Sequence, residues 1–253
     1  ALPISFFISC FNGGMSNEEQ RSRTARRQPV GTVVFDFDGT ISLGDGPVRS
    51  YARHAFARLP AGLRERAVRT LDLYLGGAVT DDGRHWNDGY DVVSDTCAGH
   101  VPADGLQQAY LSSRDELARG LVHVDMPQGL PGFLDDLGSL GCVRVLLTNS
   151  PLHGVRETVG RFGLEGRFDL IVDGAGKPGR WGDHIAAFDR LAGRGRLLSI
   201  GDHWDNDIAP VLAAGREAAY IGGTGRHGGA TYRTALLPDM YGAILEGCAS
   251  WDR

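Results

Sequence analysis

The sequence of 253 residues predicts an α/β fold, in which a parallel sheet flanked by helices carries an inserted all-helical module. The first observation is that apolar runs of strand length alternate with segments of helical periodicity, as in right-handed β–α–β units. The second is a long stretch between the first and second of these runs that has helical periodicity alone. The predicted strands are residues 32–36, 143–148, 169–173, 197–201 and 218–222.

Helical patterns separate the last four predicted strands, at residues 152–162, 182–191 and 206–214. Before the second strand, a further helix is expected to start near Pro131. Its apolar face is formed by Phe133, Leu134, Leu137 and Leu140. We expect the glycine-rich stretch 222–229 to be a mobile surface loop, because a phosphate-binding loop would need a strand before it and a helix after it.

The inserted module contains three helical patterns, with breaks between helices at residues 76–77 and 81–83. The residues at helical spacing are Val48, Tyr51, Ala55, Phe56 and Leu59, then Leu63, Ala67, Leu71 and Tyr74, and finally Leu106, Ala109, Tyr110, Ser113 and Leu117. We therefore expect residues 1–30 to be an amino-terminal extension that is partly disordered. Residues 31–43 and 126–253 would form the α/β core, and residues 44–125 the helical module.

Composition limits the class of partner. Hydrophobic residues make up 42% of the chain and charged residues 23%, which is typical of a globular protein. The net charge of −5 disfavours binding to nucleic acid or to an anionic membrane. The four cysteines show no paired spacing, so we expect no disulfide framework, a reducing cytoplasmic location and a core position for Cys142.

The amino terminus carries an apolar run at residues 2–11. The run is too short to span a bilayer and lacks the basic flank of a signal peptide. We expect residues 1–14 to be an extension upstream of a natural start at Met15. A short membrane anchor is the alternative.

The most informative feature is a pair of aspartates at the end of the first predicted strand, in the run VVFDFDGT. Because side chains alternate along a strand, Asp36 and Asp38 should share one side while Phe37 faces the other. Two like charges at that spacing repel unless a cation or a proton holds them. The pair therefore indicates metal-linked acid/base chemistry, although a plain strand-end turn at Asp38 would use the same residue types.

Further polar motifs follow the later strands, and functional groups gather at the carboxyl ends of the strands in parallel sheets. Together the motifs resemble those of the haloacid-dehalogenase-like (HAD) hydrolase superfamily, in the form with a helical cap inserted after the first strand. They are Asp-x-Asp-Gly-Thr at residues 36–40, the strand ending in Thr148, Lys177 just before a helix, and Gly-Asp-x-x-x-x-Asp at residues 201–207. The resemblance covers residues 31–248.

The resemblance implies a Rossmann-like parallel sheet with a helical cap of the C1 type, and a Mg²⁺-dependent phosphatase. The carboxylates of Asp36 and Asp202 are expected to bind Mg²⁺, together with the backbone carbonyl of Asp38. Asp36 would attack phosphorus and form an aspartyl-phosphate. Asp38 would protonate the departing oxygen and later activate the hydrolytic water, so it must hold a proton near neutral pH for the first step.

The remaining motif residues are expected to manage the charge of the phosphoryl group. Lys177 would place a cation beside the nucleophile, and the Thr148 hydroxyl and the Asn149 backbone amide would donate to phosphate oxygens. Asp207, like Asp205, is expected to orient the site from behind rather than to bind the metal directly. Helix capping and a solvated lysine are the simpler explanations of the same residues.

Several functions remain open at this stage. The expected substrate is a small phosphorylated metabolite, and an aspartate at position 38 argues against dehalogenation. A phosphomutase would use the same carboxylate pair, and a non-catalytic regulatory module could keep the same fold. Polar cap residues could contact the leaving group, although a solvated helix face explains them equally well. They are Arg49, Arg53, His54, Arg84, His85 and Trp86. His and Cys lack the spacing of a zinc site.

Overall fold

The computed structural model describes residues 28–78, 86–192, 195–222 and 228–252. Within these ranges the chain forms a six-stranded parallel sheet with the strand order β3-β2-β1-β4-β5-β6. The strands are β1 (Gly31–Phe35), β2 (Cys142–Leu147), β3 (Leu170–Val172), β4 (Leu197–Gly201), β5 (Glu217–Ile221) and β6 (Tyr232–Thr234). The predicted α/β class is confirmed.

Strand β1 lies at the centre of the sheet because all five of its residues are buried and it pairs on both sides. Val33 is in register with Arg144 of β2 and with Leu198 of β4. The chain runs from β1 to β2 and β3 on one side, and then crosses to β4, β5 and β6 on the other. The strand order therefore reverses beside β1, and ligands of open α/β sheets bind in the crevice at such a reversal.

Helices cover both faces of the sheet. They are α5 (Leu130–Ser139), α6 (Leu152–Arg161), α7 (Trp181–Ala192), α8 (Ala209–Ala213) and α9 (Tyr241–Ser250). On one face, Phe35 packs edge-on against Phe133 of α5 and against Phe168. On the other face, Val34 belongs to a second apolar cluster with Phe188 of α7. Burial of both sheet faces explains the nearly continuous apolar runs of these strands.

The insertion between β1 and β2 is all-helical in its described residues. Its helices are α1 (Gly46–Phe56), α2 (Ala61–Leu75), α3 (Gly89–Cys97) and α4 (Ala103–Ala118). They enclose a separate apolar core, which includes Phe56, Leu71 and Val92. The segments that enter and leave this cap pair through backbone hydrogen bonds between Leu43 and Asp125, of 2.8 and 3.0 Å. The domain limits at 44 and 125, and the C1 type of the cap, stay predictions.

Sequence and structure differ in detail. Helix α3, strand β6 and helix α9 were not expected from the sequence. The helix predicted at 206–214 is instead a π-helical turn, Trp204–Ile208, followed by α8. Pro210 has no N–H to donate, so the helix around it cannot continue a regular hydrogen-bond ladder. The other strand boundaries shift by one residue at most.

Three cysteines, Cys97, Cys142 and Cys248, are buried and free, as expected for Cys142. The predicted amino-terminal extension to residue 27, Cys10, Arg84, His85 and most of the predicted loop at 222–229 lie outside the described residues. No helix in the described ranges combines the length and the apolar character needed to cross a membrane.

Candidate active site

The carboxyl ends of β1, β2 and β4 open into a cavity of about 580 Å³ between the sheet and the cap. The core contributes Asp36, Asp38, Thr148, Asn149, Ser150, Lys177, Asp202 and Asp207 to its wall. The cap contributes Tyr51, Tyr90 and Tyr110 among others. The residues predicted to act as nucleophile, acid, phosphate ligands and metal ligands therefore lie around one cavity, together with Asp207, whereas Asp205 is exposed and does not line it.

Lys177 joins two carboxylates at the floor of this cavity. Its Nζ donates to Oδ1 of Asp36 at 2.7 Å and to Oδ1 of Asp207 at 2.6 Å. The lysine side chain is only 2% exposed, and that of Asp207 is 1% exposed. A buried ammonium between two carboxylates is well compensated, so the three side chains hold one another in fixed positions.

Asp202 approaches the same two carboxylates from the end of β4. Oxygen atoms of Asp36, Asp202 and Asp207 all lie within 4.8 Å of one another. Gly39 makes room for Asp202, because a Cβ at position 39 would lie 2.5 Å from the Cγ of Asp202. The structure therefore brings together three acidic groups with the oxygen donors that Mg²⁺ prefers.

Burial raises the pKa of all three carboxyl groups. It raises the pKa of Asp36 to about 7, although the charge and the hydrogen bond of Lys177 oppose the shift. The pKa of Asp202 lies well above its usual value, because of burial and then the charges of Asp36 and Asp207. Burial also raises the pKa of Asp207 against the opposing effect of Lys177. A divalent cation at this cluster would favour the charged forms.

Lys177 keeps its proton in this environment. Burial alone would lower the pKa of its ammonium group, but the charges of Asp36 and Asp207 outweigh burial and raise it. One monovalent ammonium faces three carboxyl groups, so the donor set fits a divalent cation in addition to the lysine.

The loop after β2 is tied to the loop that carries Lys177. The side-chain amide of Asn149 donates to the backbone carbonyl of Lys177 at 2.9 Å and accepts from its N–H at 2.8 Å. The hydroxyl oxygen of Thr148, which is buried, accepts from the N–H of Ser150 at 3.0 Å. That bond uses a lone pair of Thr148 and leaves its hydroxyl hydrogen for a ligand.

Asp38 faces a different set of partners. Its Oδ2 accepts from the hydroxyl of Ser150 at 2.6 Å, and its two oxygens lie 3.3 and 3.4 Å from Nη1 of Arg114 in the cap. Sequence reasoning missed both partners. Ser150, two residues after Thr148, could have been suspected from that position, whereas Arg114 resembles any charged residue of an amphipathic helix.

The polar cap residues suspected from the sequence lie elsewhere where they are described. Arg49 pairs with Asp72 at 2.6 Å, and Arg53 and His54 both bond to Glu116. Trp86 packs edge-on against Tyr74. Their side chains are not part of the cavity wall.

Comparison with protein-family models and with curated proteins gave no match. Solved structures do match. YfnB from Bacillus subtilis, in a form bound to magnesium, is 19% identical with a TM-score of 0.58, over 87% of this chain and 100% of that chain. A HAD family hydrolase from Deinococcus radiodurans, with bound phosphate and sodium, is 20% identical with a TM-score of 0.55, over 89% and 98%.

A HAD phosphatase from Thermococcus onnurineus is 20% identical, with a TM-score of 0.51, over 85% of this chain and 97% of that chain. Identities this low establish the architecture and leave the activity to be argued from the site. The chain has the fold of the haloacid-dehalogenase-like hydrolases.

Proposed function

We propose that this protein is a Mg²⁺-dependent phosphatase that hydrolyses a small phosphomonoester through an aspartyl-phosphate on Asp36. The observation that carries the proposal is that two aspartates, Asp36 and Asp38, line the same cavity but have different partners. Asp36 lies with Lys177 and two further carboxylates, whereas Asp38, on the same wall of the cavity, bonds to Ser150. Pairs of carboxyl groups in contrasting environments take different roles in catalysis.

Asp36 and Asp202 would hold Mg²⁺ through their carboxylates, with the backbone carbonyl of Asp38. When bound, the ion neutralises charge on the phosphoryl oxygens and on the nucleophile. The structures of YfnB with magnesium and of the Deinococcus hydrolase with phosphate support this choice of ion and substrate group. Asp207 lies close enough to join the ligand set, and its bond to Lys177 supports the orienting role expected from the sequence.

In the first step a carboxylate oxygen of Asp36 attacks phosphorus, and the bond from phosphorus to the leaving oxygen breaks. Asp38 gives that oxygen its proton. In the second step Asp38 takes a proton from water, which attacks phosphorus and releases inorganic phosphate and free Asp36. Lys177 holds the nucleophile in place, and Thr148 with the backbone amide of Asn149 donates to phosphoryl oxygens.

The cap lies over the cavity and supplies three tyrosines to its wall, which supports a role in excluding water and selecting the leaving group. A small phosphorylated metabolite suits a cavity of about 580 Å³.

Asp36→Asn provides the direct test, because it keeps the shape of the side chain and removes the nucleophilic carboxylate. Turnover of phosphomonoesters in a broad screen with Mg²⁺, and trapping of the aspartyl-phosphate, should both be lost. Asp135→Asn is the control, since Asp135 is exposed on α5 and pairs with Arg167 at 3.0 Å. Near-native hydrolysis by the Asp36→Asn variant would disprove the assignment.

The same screen separates the alternatives. A phosphomutase would convert a sugar phosphate into an isomer with little free phosphate. A non-catalytic module would bind a phosphorylated ligand without turnover by the unaltered protein.

A further inference from the structure

Arg114 is a fully buried arginine that reaches from cap helix α4 into the core. Its side chain is 0% exposed, and its guanidinium contacts Asp38, the hydroxyl of Ser150 at 3.3 Å and the hydroxyl of Tyr90 at 2.6 Å. A buried charge is costly unless its partners are well placed. The burial of this charge therefore indicates that Arg114 has a specific role beside Asp38.

The surroundings of Arg114 keep its guanidinium charged and fixed. The group lies 5.2 Å from the ring centre of Tyr110 and 6.0 Å from that of Tyr90. Burial acts to lower the pKa of Arg114, but Asp38 and the two tyrosines outweigh it and raise it. Helix α6 packs closely against the backbone here, because a Cβ on Gly154 would lie 3.0 Å from the carbonyl oxygen of Arg114.

The partners of Ser150 determine the direction of its hydroxyl hydrogen. A serine hydroxyl has one hydrogen to donate and two lone pairs that accept. The oxygen of Ser150 accepts from the hydroxyl of Tyr110 at 3.1 Å and from Arg114. The single hydrogen of Ser150 is therefore directed at Oδ2 of Asp38, 2.6 Å away.

We propose that Arg114 and Ser150 are positioning residues that fix the carboxyl group of Asp38 for proton transfer to the leaving oxygen. The proposal rests on the proposed function, because it assumes that Asp38 performs that transfer. It adds that the cap helps to build the catalytic machinery by supplying a guanidinium whose hydrogen bonds hold this carboxyl group in place. Proton transfer requires hydrogen-bond geometry, so a carboxyl group free to rotate would be a poorer donor.

The test compares two esters of similar shape that differ in their need for a proton. In p-nitrobenzyl phosphate the leaving group is an alkoxide, which departs only with a proton, whereas p-nitrophenyl phosphate releases a stabilised phenolate. The measured quantity is kcat/KM, which reports only the steps up to formation of the aspartyl-phosphate. Its benzyl-to-phenyl ratio then measures acid assistance by Asp38 and ignores the later hydrolysis.

Arg114→Met and Ser150→Ala should each lower kcat/KM for the benzyl ester by roughly 10²-fold, within the range that general acids contribute, and lower it far less for the phenyl ester. Arg114→Lys retains a cation without the forked donors and should recover part of the ratio. Arg119→Met is the matched control, because Arg119 is exposed at the end of the same helix and contacts Asp115 at 3.5 Å. Urea unfolding tests whether each variant folds.

Asp38→Asn sets the reference, since it should show the largest fall in the ratio. If Asp38→Asn leaves the ratio unchanged, the acid role in the proposed function is wrong. If Asp38→Asn lowers the ratio but a folded Arg114→Met or Ser150→Ala lowers both esters equally, the positioning role alone is wrong. Should Arg114→Met fail to fold, Ser150→Ala decides the outcome in the same way.

Discussion

Gly39→Ala should lower activity by about two orders of magnitude and leave the protein folded. Gly39 has a φ of +85°, a conformation that costs an alanine about 1–2 kcal/mol. The new Cβ would also lie 2.5 Å from the Cγ of Asp202, and closer still to its Oδ2. Ordinary carbon–carbon contact starts near 3.5 Å, so Asp202 or the Gly39 loop must move by about 1 Å.

A shift of that size falls on a proposed metal ligand. Misplacement of a reacting or ligating group by ~1 Å can lower turnover by ~10²-fold. We therefore expect kcat for a phosphomonoester to fall by about two orders of magnitude, and Mg²⁺ binding measured by calorimetry to weaken. Urea unfolding without metal should show a loss of only about 1–3 kcal/mol, from the backbone conformation and a residual clash.

Gly166→Ala is the control for the backbone conformation. Gly166 has a φ of +75°, and within the described part of the chain its Cβ would meet no atom inside 4 Å. It should lose about 1–2 kcal/mol of stability and keep its activity. A folded Gly39→Ala variant with kcat within about threefold of the unaltered protein would show that position 39 need not be open to seat Asp202.

Two further predictions concern the charges at the floor of the cavity. Lys177→Met should lower the free energy of unfolding in urea by ~3–5 kcal/mol, because Asp36 and Asp207 lose their buried cation. Lys177 is the only lysine among 26 basic residues, and Lys177→Arg should be inactive, because a guanidinium is too large for the space between the two carboxylates. An active arginine variant would contradict this. Burial raises the pKa of Asp36 from 3.8 to about 7 and also raises the pKa of Asp202. At pH values between 3.8 and about 7, the folded protein therefore binds more protons than the unfolded chain. The free energy of unfolding without metal, measured in urea titrations, should therefore fall as the pH rises from about 4 through about 7. Saturating Mg²⁺ should remove this dependence on pH. A dependence that Mg²⁺ leaves unchanged would contradict a metal site at these carboxylates.

The sheet could be predicted from the sequence because its central strands are buried on both faces and carry continuous apolar runs. The edge strand Tyr232–Thr234 escaped prediction because it has only three residues, all of them partly buried. Helix α3 also escaped, since it begins at a glycine and carries Val92, Val93 and Thr96, which favour helix weakly. Its clearest local signal is the N-cap Asp88, which accepts from the N–H of Asp91 at 2.8 Å.

The positions of the site residues could be predicted from the ends of the strands, because the edge of a parallel sheet gathers residues that are far apart in sequence. The cap contribution could not be predicted. Arg114 lies 76 residues from Asp38 along the chain, and its helix has no pattern that distinguishes an inward arginine from a solvated one. Only the packing of cap on core reveals it.

The different surroundings of the two aspartates follow from where the β-ladder stops. The N–H of Asp36 still donates to the carbonyl of Ile200 in β4, at 2.9 Å, so Asp36 stays beside Asp202. One residue later, the carbonyl of Phe37 accepts from the N–H groups of Ile41 and Ser42, both at 2.9 Å, which closes a tight turn. Asp38 therefore lies outside the β-ladder, in contact with the loop after β2 and with the cap. If the strand continued, Asp36 and Asp38 would have the same neighbours, because side chains two residues apart lie on the same face. The turn instead places Asp36 beside Lys177 and Asp38 beside Arg114.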